Sequence, residues 1–80
     1  MTAAELYKAL RRADKLGINL PTLIALTYTA GQAVKIDELK DKAGRQAWKC
    51  ATTSPLFDVV DDKALASEKG ENMLRRILRA

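Results

Sequence analysis

The 80-residue chain contains no histidine, one cysteine and two prolines. Without histidine it has no imidazole to serve as a general base or a metal ligand. Cys50 alone forms neither an internal disulfide nor a zinc site, which is typical of a reducing compartment. No apolar run approaches the ~18 residues of a membrane span. We therefore expect a cytoplasmic protein that is not an enzyme and that has no cofactor, metal site or membrane contact.

The residues that are present indicate one folded domain over 1–80. Hydrophobic residues make up 48% of the chain and charged residues 30%, a balance typical of a globular protein. The net charge is +4, from fourteen basic and ten acidic residues. Basic residues dominate 40–53, whereas acidic residues dominate 58–68. A basic segment favours contact with nucleic acid, and an acidic segment does not.

Two helices are predicted at the start of the chain. Thr2 and Glu5 have capping-box spacing, and Gly17 is a typical helix stop. Pro21 suits the first turn of a second helix, which Gly31 ends. We expect the first helix to be amphipathic and the second to be buried. The apolar residues on one side of the first helix are Leu6, Leu10 and Ala13, and those of the second are Leu20, Leu23, Ile24, Leu26 and Ala30.

The remaining segments predict a mainly α protein with a small β-hairpin. A short strand at 33–36 precedes a helix capped by Asp37, and Gly44 separates it from a helix over Arg45–Thr53. Two strands within 56–66 flank an Asp-Asp turn, and Ser67 opens a last helix that ends near Arg79. This order predicts a winged helix-turn-helix with five helices, a short strand and a two-stranded wing. Its helix-turn-helix spans about 37–53, its wing about 56–66 and its C-terminal helix about 67–79.

The Arg45–Thr53 helix carries the candidate DNA-binding residues. Arginine pairs with guanine, glutamine with adenine, threonine contacts a base edge or the thymine methyl, and lysine holds phosphate. Trp48 is predicted to anchor this helix in the core and Cys50 to pack near the edge of its inner face. The predicted DNA contacts are Arg45, Gln46, Lys49, Thr52 and Thr53, with Lys40 and Lys42 on the preceding helix.

Basic residues also cluster on one side of the first helix. They indicate either a phosphate-binding stripe or, as is more common, a solvated face. Arg11, Arg12 and, on the last helix, Arg75 are further candidates for phosphate attraction. The whole cluster comprises Lys8, Arg11, Arg12 and Lys15.

Three short segments resemble the DNA-binding core of MarR-type transcription regulators. Residues 23–26, Gly31 and 36–39 are similar to the family's entry into the helix-turn-helix. Residues 42–44 resemble the turn before its recognition helix, and 61–70 resemble its wing and the exit from it. The resemblance implies a winged helix that binds DNA through Arg45–Thr53. It differs from the family in a shorter wing, in the acidic Asp62, and in lacking long dimerisation helices.

The sequence thus predicts a small transcriptional regulator, a repressor of phage or mobile-element origin, that binds double-stranded DNA. An alternative is a winged helix that binds a protein, as an inhibitor or assembly factor, through its acidic hairpin and apolar surface. A third is a dimeric helical scaffold that associates through the first and last helices. The sequence does not decide whether the protein forms a homodimer or binds a protein partner.

Overall fold

A computed structural model describes residues 2–78 of the protein, and this range contains five helices and a three-stranded antiparallel sheet. The mainly helical class with a small sheet is therefore confirmed. The predicted end of the last helix at Arg79 lies outside the described residues. The helices are α1 (Ala3–Lys15), α2 (Leu20–Thr29), α3 (Ile36–Ala43), α4 (Arg45–Thr53) and α5 (Glu68–Leu78), and the strands are β1 (Val34–Lys35), β2 (Phe57–Val60) and β3 (Lys63–Ala66).

Side-chain caps define the starts of three helices. The Thr2 hydroxyl accepts a hydrogen bond from the Glu5 N–H at 3.1 Å, as the capping-box spacing predicts. Asn19 caps α2, since its Oδ1 accepts from the Thr22 N–H at 3.0 Å. Ser67 caps α5. These polar groups satisfy backbone donors that the helices themselves leave without partners.

The predicted cap of α3 is wrong. The helix begins at Ile36, one residue before Asp37, and its N-terminal flank Lys35 makes no side-chain cap. The Ile36 N–H instead donates to the carbonyl oxygen of Asp62 at 2.7 Å. The hairpin turn therefore satisfies the donor at this helix start, and Asp37 lies within the first turn, where its charge favours the helix dipole.

The sheet has the strand order β1-β3-β2. Val34 of β1 pairs with Ala64, and the hairpin pairs Val60 with Lys63 across a two-residue turn. The first residue of that turn, Asp61, has φ 57°, a left-handed conformation that aspartate and asparagine tolerate better than most residues. The strands of the hairpin lie one residue inside the predicted wing, because Leu56 precedes β2.

Helix α2 lies at the centre of the fold and packs against α3, α4, α5 and β3. Its Ala25 and Leu26 are completely buried, as the prediction of a buried helix requires. Leu20, at its start, is exposed instead. The buried apolar residues elsewhere in the chain belong to the same hydrophobic core as those of α2: Ala9, Ala13, Leu39, Ala47, Ala51, Leu56, Phe57, Ala64, Ala66, Leu74 and Ile77.

Of the three residues predicted on the apolar side of α1, only Ala13 is buried. Ala9 and Ala13 are buried, whereas Leu6 is 51% exposed and Leu10 is 39% exposed. The helix packs against α5, and two alanines at i and i+4 allow the two backbones to approach closely. Leu78, on α5, is also exposed. The sequence pattern correctly predicts that α1 is amphipathic, but it does not predict which side of the helix is buried.

No helix within residues 2–78 combines the length and the apolarity that a membrane crossing requires.

Gly70 marks a close approach between α5 and the rest of the fold. A Cβ atom at this position would overlap the Leu56 carbonyl oxygen and would lie 3.1 Å from the Leu26 Cδ2 atom. The same carbonyl accepts a hydrogen bond from the Ser67 N–H at 2.9 Å. Glycine is therefore required here for space, although glycine is a poor helix former.

We predict that Gly70→Ala destabilises the protein by about 1–3 kcal/mol, because the methyl group must displace backbone atoms. Helix propensity alone would make this substitution favourable. The matched control is Asn72→Ala in the same helix, at an exposed position, where we expect a gain of about 0.5 kcal/mol. Urea denaturation measures both, and equal effects of the two substitutions would contradict the close contact.

Candidate nucleic-acid interface

Helices α3 and α4 are joined by a single residue, Gly44. Its φ of 96° lies in the region that favours glycine, and this turn changes the chain direction between the two helices. On its inner side α4 buries Ala47 and Ala51, and it packs against α2 and α3. Small residues bring α4 close to the core, so its opposite side projects into solvent.

The outer side of α4 carries the five residues of this helix that the sequence predicts to contact DNA. Each of them is exposed, and together with the edge of Trp48 they line one shallow depression. The structure therefore brings the predicted residues onto one surface, which we call the α4 face: Arg45, Gln46, Lys49, Thr52 and Thr53.

The cations of the α4 face have no counter-ion among residues 2–78. Among residues 2–78, no carboxylate oxygen lies within 4.0 Å of the charged nitrogens of Arg45 or Lys49. The ion pairs found in this range join Lys42 to Glu38 at 2.9 Å and Arg75 to Glu71 at 3.6 Å. Two unneutralised cations one helical turn apart form an electrostatic site for an anionic partner.

The two threonines use their hydroxyl protons inside the helix. Thr53 donates to the Lys49 carbonyl oxygen at 2.7 Å, and Thr52 donates to the carbonyl oxygens of Lys49 and Trp48 at 3.1 Å. Each hydroxyl oxygen still has a lone pair, and each methyl group remains available. Toward a base, each threonine can therefore accept a hydrogen bond through its hydroxyl oxygen or make contact through its methyl group. It does not donate a hydrogen bond.

Trp48 is not the buried anchor that the sequence predicts. It is half-buried, at the edge of the α4 face, because Ala47 and Ala51 occupy the contact with the core. The ammonium group of Lys40, on α3, lies 4.8 Å from the centre of its ring, within the range of a cation–π interaction. This pairing of α3 with α4 has no simple sequence signature, since it joins residues across the turn.

Lys40 and Lys42, both predicted phosphate contacts, have different surroundings. The hydrogen bond and the positive charge of Lys42 lower the pKa of Glu38, and the same contact raises the pKa of Lys42. Both groups are therefore charged at neutral pH, and they neutralise one another. Lys40 has no such carboxylate partner among the described residues, so it adds more than Lys42 to the positive potential beside α4.

The other basic candidates are engaged within the fold. Arg12 Nε–H donates to the carbonyl oxygen of Ile77 at 2.7 Å and so caps the last turn of α5, a structural role that the sequence analysis missed. Arg11 donates to the Tyr7 hydroxyl at 3.0 Å and lies over its ring. Arg75 pairs with Glu71. These residues are less suited to phosphate contact than those of α3 and α4.

The hairpin of β2 and β3 presents acidic and apolar side chains together. Asp58, Asp61 and Asp62 are exposed, and none of them forms an ion pair within the described range. Val59 is 44% exposed and Val60 is 68% exposed. We call this element the acidic hairpin. Its outer face pairs Asp58 with Leu65 and Val60 with Lys63, around a shallow apolar depression.

Among residues 2–78, no cluster of three or more cysteine, aspartate or glutamate side chains could hold a metal ion. Cys50 is a half-buried free thiol.

Comparison with family models, with curated proteins and with solved structures gives no match to this chain. The resemblance to MarR-type regulators therefore stays a prediction.

We predict that Lys40→Ala increases the quenching of Trp48 fluorescence by acrylamide, because the lysine covers part of the indole ring. The lost cation–π contact should cost about 0.5–1 kcal/mol of stability. Lys42→Ala, two residues away, removes the same charge but leaves the ring covered, so quenching should not change. Because the chain has one tryptophan, the measured tryptophan fluorescence comes from Trp48 alone. Equal quenching in both variants would contradict the contact.

Proposed function

We propose that this protein is a winged helix-turn-helix that binds double-stranded DNA and regulates transcription. The order α2-β1-α3-α4-β2-β3 supports this, since it places a helix, a strand and two further helices before a two-stranded wing. The antiparallel pairing of β1 with β3 joins the first strand to that wing. In this arrangement α4 is the helix that enters the major groove.

The observation that carries the proposal is the exposed and unneutralised charge of the α4 face. Arg45 supplies a planar guanidinium that can bind guanine through two hydrogen bonds, and Gln46 offers an amide that matches adenine. Lys49 lies one turn further along the helix, in position to contact a phosphate. Lys40, held beside Trp48, adds a second phosphate contact from α3.

The acidic hairpin limits how the protein approaches DNA. Asp58, Asp61 and Asp62 form no ion pair with any described residue, so a phosphate backbone close to the hairpin would be repelled. We infer that the duplex contacts α4 and α3 and that the hairpin lies outside the contact. Binding that depends on one helix is weaker than binding by a helix and a basic wing, and it depends strongly on salt. A repressor of this kind acts by occupying its DNA site.

A duplex of random sequence tests the proposal, because non-specific binding depends on phosphate contacts and needs no knowledge of the operator. We predict that Trp48 fluorescence changes on titration with the duplex, since its ring borders the α4 face. The double substitution Arg45→Gln and Lys49→Gln should weaken binding and reduce the slope of log affinity against log salt by about 2.

The matched control is Lys8→Gln with Lys15→Gln on α1. Both double variants lower the net charge of +4 by two, and both change exposed helical residues. Binding through α4 requires the α4 variant to lose much more affinity than the α1 variant. An equal loss would mean that net charge alone attracts DNA, and a larger loss in the α1 variant would assign binding to the basic stripe of α1.

A further inference from the structure

Two surfaces of opposite charge lie next to one another along the chain, and the described residues neutralise neither of them. The α4 face has Arg45 and Lys49 without counter-ions, and the acidic hairpin has Asp58, Asp61 and Asp62 without counter-ions, all within the described residues. Only residues 54–56 separate α4 from β2, and the two elements pack against each other. The basic and the acidic groups therefore lie on two elements that are in contact, and we call this pair of faces the bipolar surface.

A bipolar surface is complementary to a second copy of itself. A two-fold rotation brings the basic half of one copy opposite the acidic half of the other, and it does so twice in one closed dimer. The apolar groups support the same pairing. Val60 is 68% exposed beside the aspartates, and the half-buried Trp48 borders the α4 face, so each charged half includes an apolar side chain that burial would favour.

We propose that two copies of this chain form a symmetric dimer in which the acidic hairpin of each covers the α4 face of the other. The dimer hides Arg45 and Lys49 from any other anionic partner. Self-association and the DNA binding proposed above are therefore mutually exclusive. The dimer is a form of the protein that cannot bind DNA. The dimer itself depends on the charges of the chain alone, so it does not rest on the proposed function.

The contact is weak and sensitive to salt, because exposed charge pairs contribute little individually and are screened. At ~0.01 M salt the screening length is about 30 Å, and it falls to about 8 Å at physiological ionic strength. Dimers should therefore accumulate at high protein concentration and low salt. Rising salt should return the protein to monomers.

Sedimentation equilibrium without DNA tests the dimer. At low salt the apparent mass should rise with concentration from 8.8 kDa toward twice that value, and added salt should reverse the rise. Asp61→Asn with Asp62→Asn should weaken the dimer about tenfold or more, since each lost pair occurs twice. Asparagine is chosen because it tolerates the φ of 57° at Asp61, so the turn is retained.

The matched control is Glu5→Gln with Asp14→Asn on α1. This variant also raises the net charge of +4 by two, and glutamine still completes the capping box at position 5. It should dimerise like the unmodified protein. A decrease equal to that of the hairpin variant would mean that net charge, and not the hairpin, controls association, and it would overturn the proposal.

Mixing two variants identifies the surfaces in contact. The hairpin variant keeps its α4 face, and Arg45→Gln with Lys49→Gln keeps its acidic hairpin. Each alone should be monomeric, whereas their mixture should recover one of the two contacts and associate as a 1:1 complex. Protein that stays at 8.8 kDa under all conditions overturns the proposal, as does a dimer that neither variant weakens. The latter would instead point to the exposed Leu6, Tyr7 and Leu10 of α1.

The experiment separates this inference from the proposed function. A salt-sensitive dimer that both variants weaken supports the inference even if no duplex binds. A duplex that binds α4 while the protein is monomeric under all conditions supports the proposed function and overturns the inference. If both hold, duplex DNA should dissociate the dimer.

Discussion

The close packing of Gly70 against the Leu56 carbonyl is the constraint on which the positions of the α4 face and the acidic hairpin depend. Three segments meet there: α5 through Gly70, the chain that follows α4 through Leu56, and the central helix α2 through Leu26. This contact fixes the position of the segment that leads from α4 into the hairpin. It also fixes the start of α5, because the Leu56 carbonyl accepts a hydrogen bond from Ser67. A side chain at position 70 would separate these segments.

The fold then decides which cations are free to act. Arg12 caps α5, and Lys42 and Arg75 pair with glutamates one turn away. The cations of the α4 face have no such partners in the described part of the chain, and neither do the aspartates of the hairpin. Charge that the fold leaves unneutralised is available for binding, whether the partner is a phosphate backbone or another copy of the chain. A single polarised surface can therefore serve two competing interactions.

The sequence predicted element order well because its signals are local. Glycines end helices, Ser67 and Thr2 cap them, and the Asp-Asp turn closes the hairpin. It predicted poorly the properties that depend on tertiary packing. The rotation of α1, which buries Ala9 and Ala13, follows from its packing against α5, and the partial exposure of Trp48 follows from the small residues beneath α4. The candidate site lies on one helix face, so helical periodicity alone was sufficient to group its residues.

We propose above all that the α4 face is the surface through which this protein binds DNA. The most direct measurement is the change in backbone amide NMR signals when a random duplex is added to the labelled protein at moderate salt. The account predicts that the largest changes fall within Arg45–Thr53 and near Lys40, with little change at Asp61 and Asp62. Changes centred on the hairpin or on α1, or no change at any position, would contradict it.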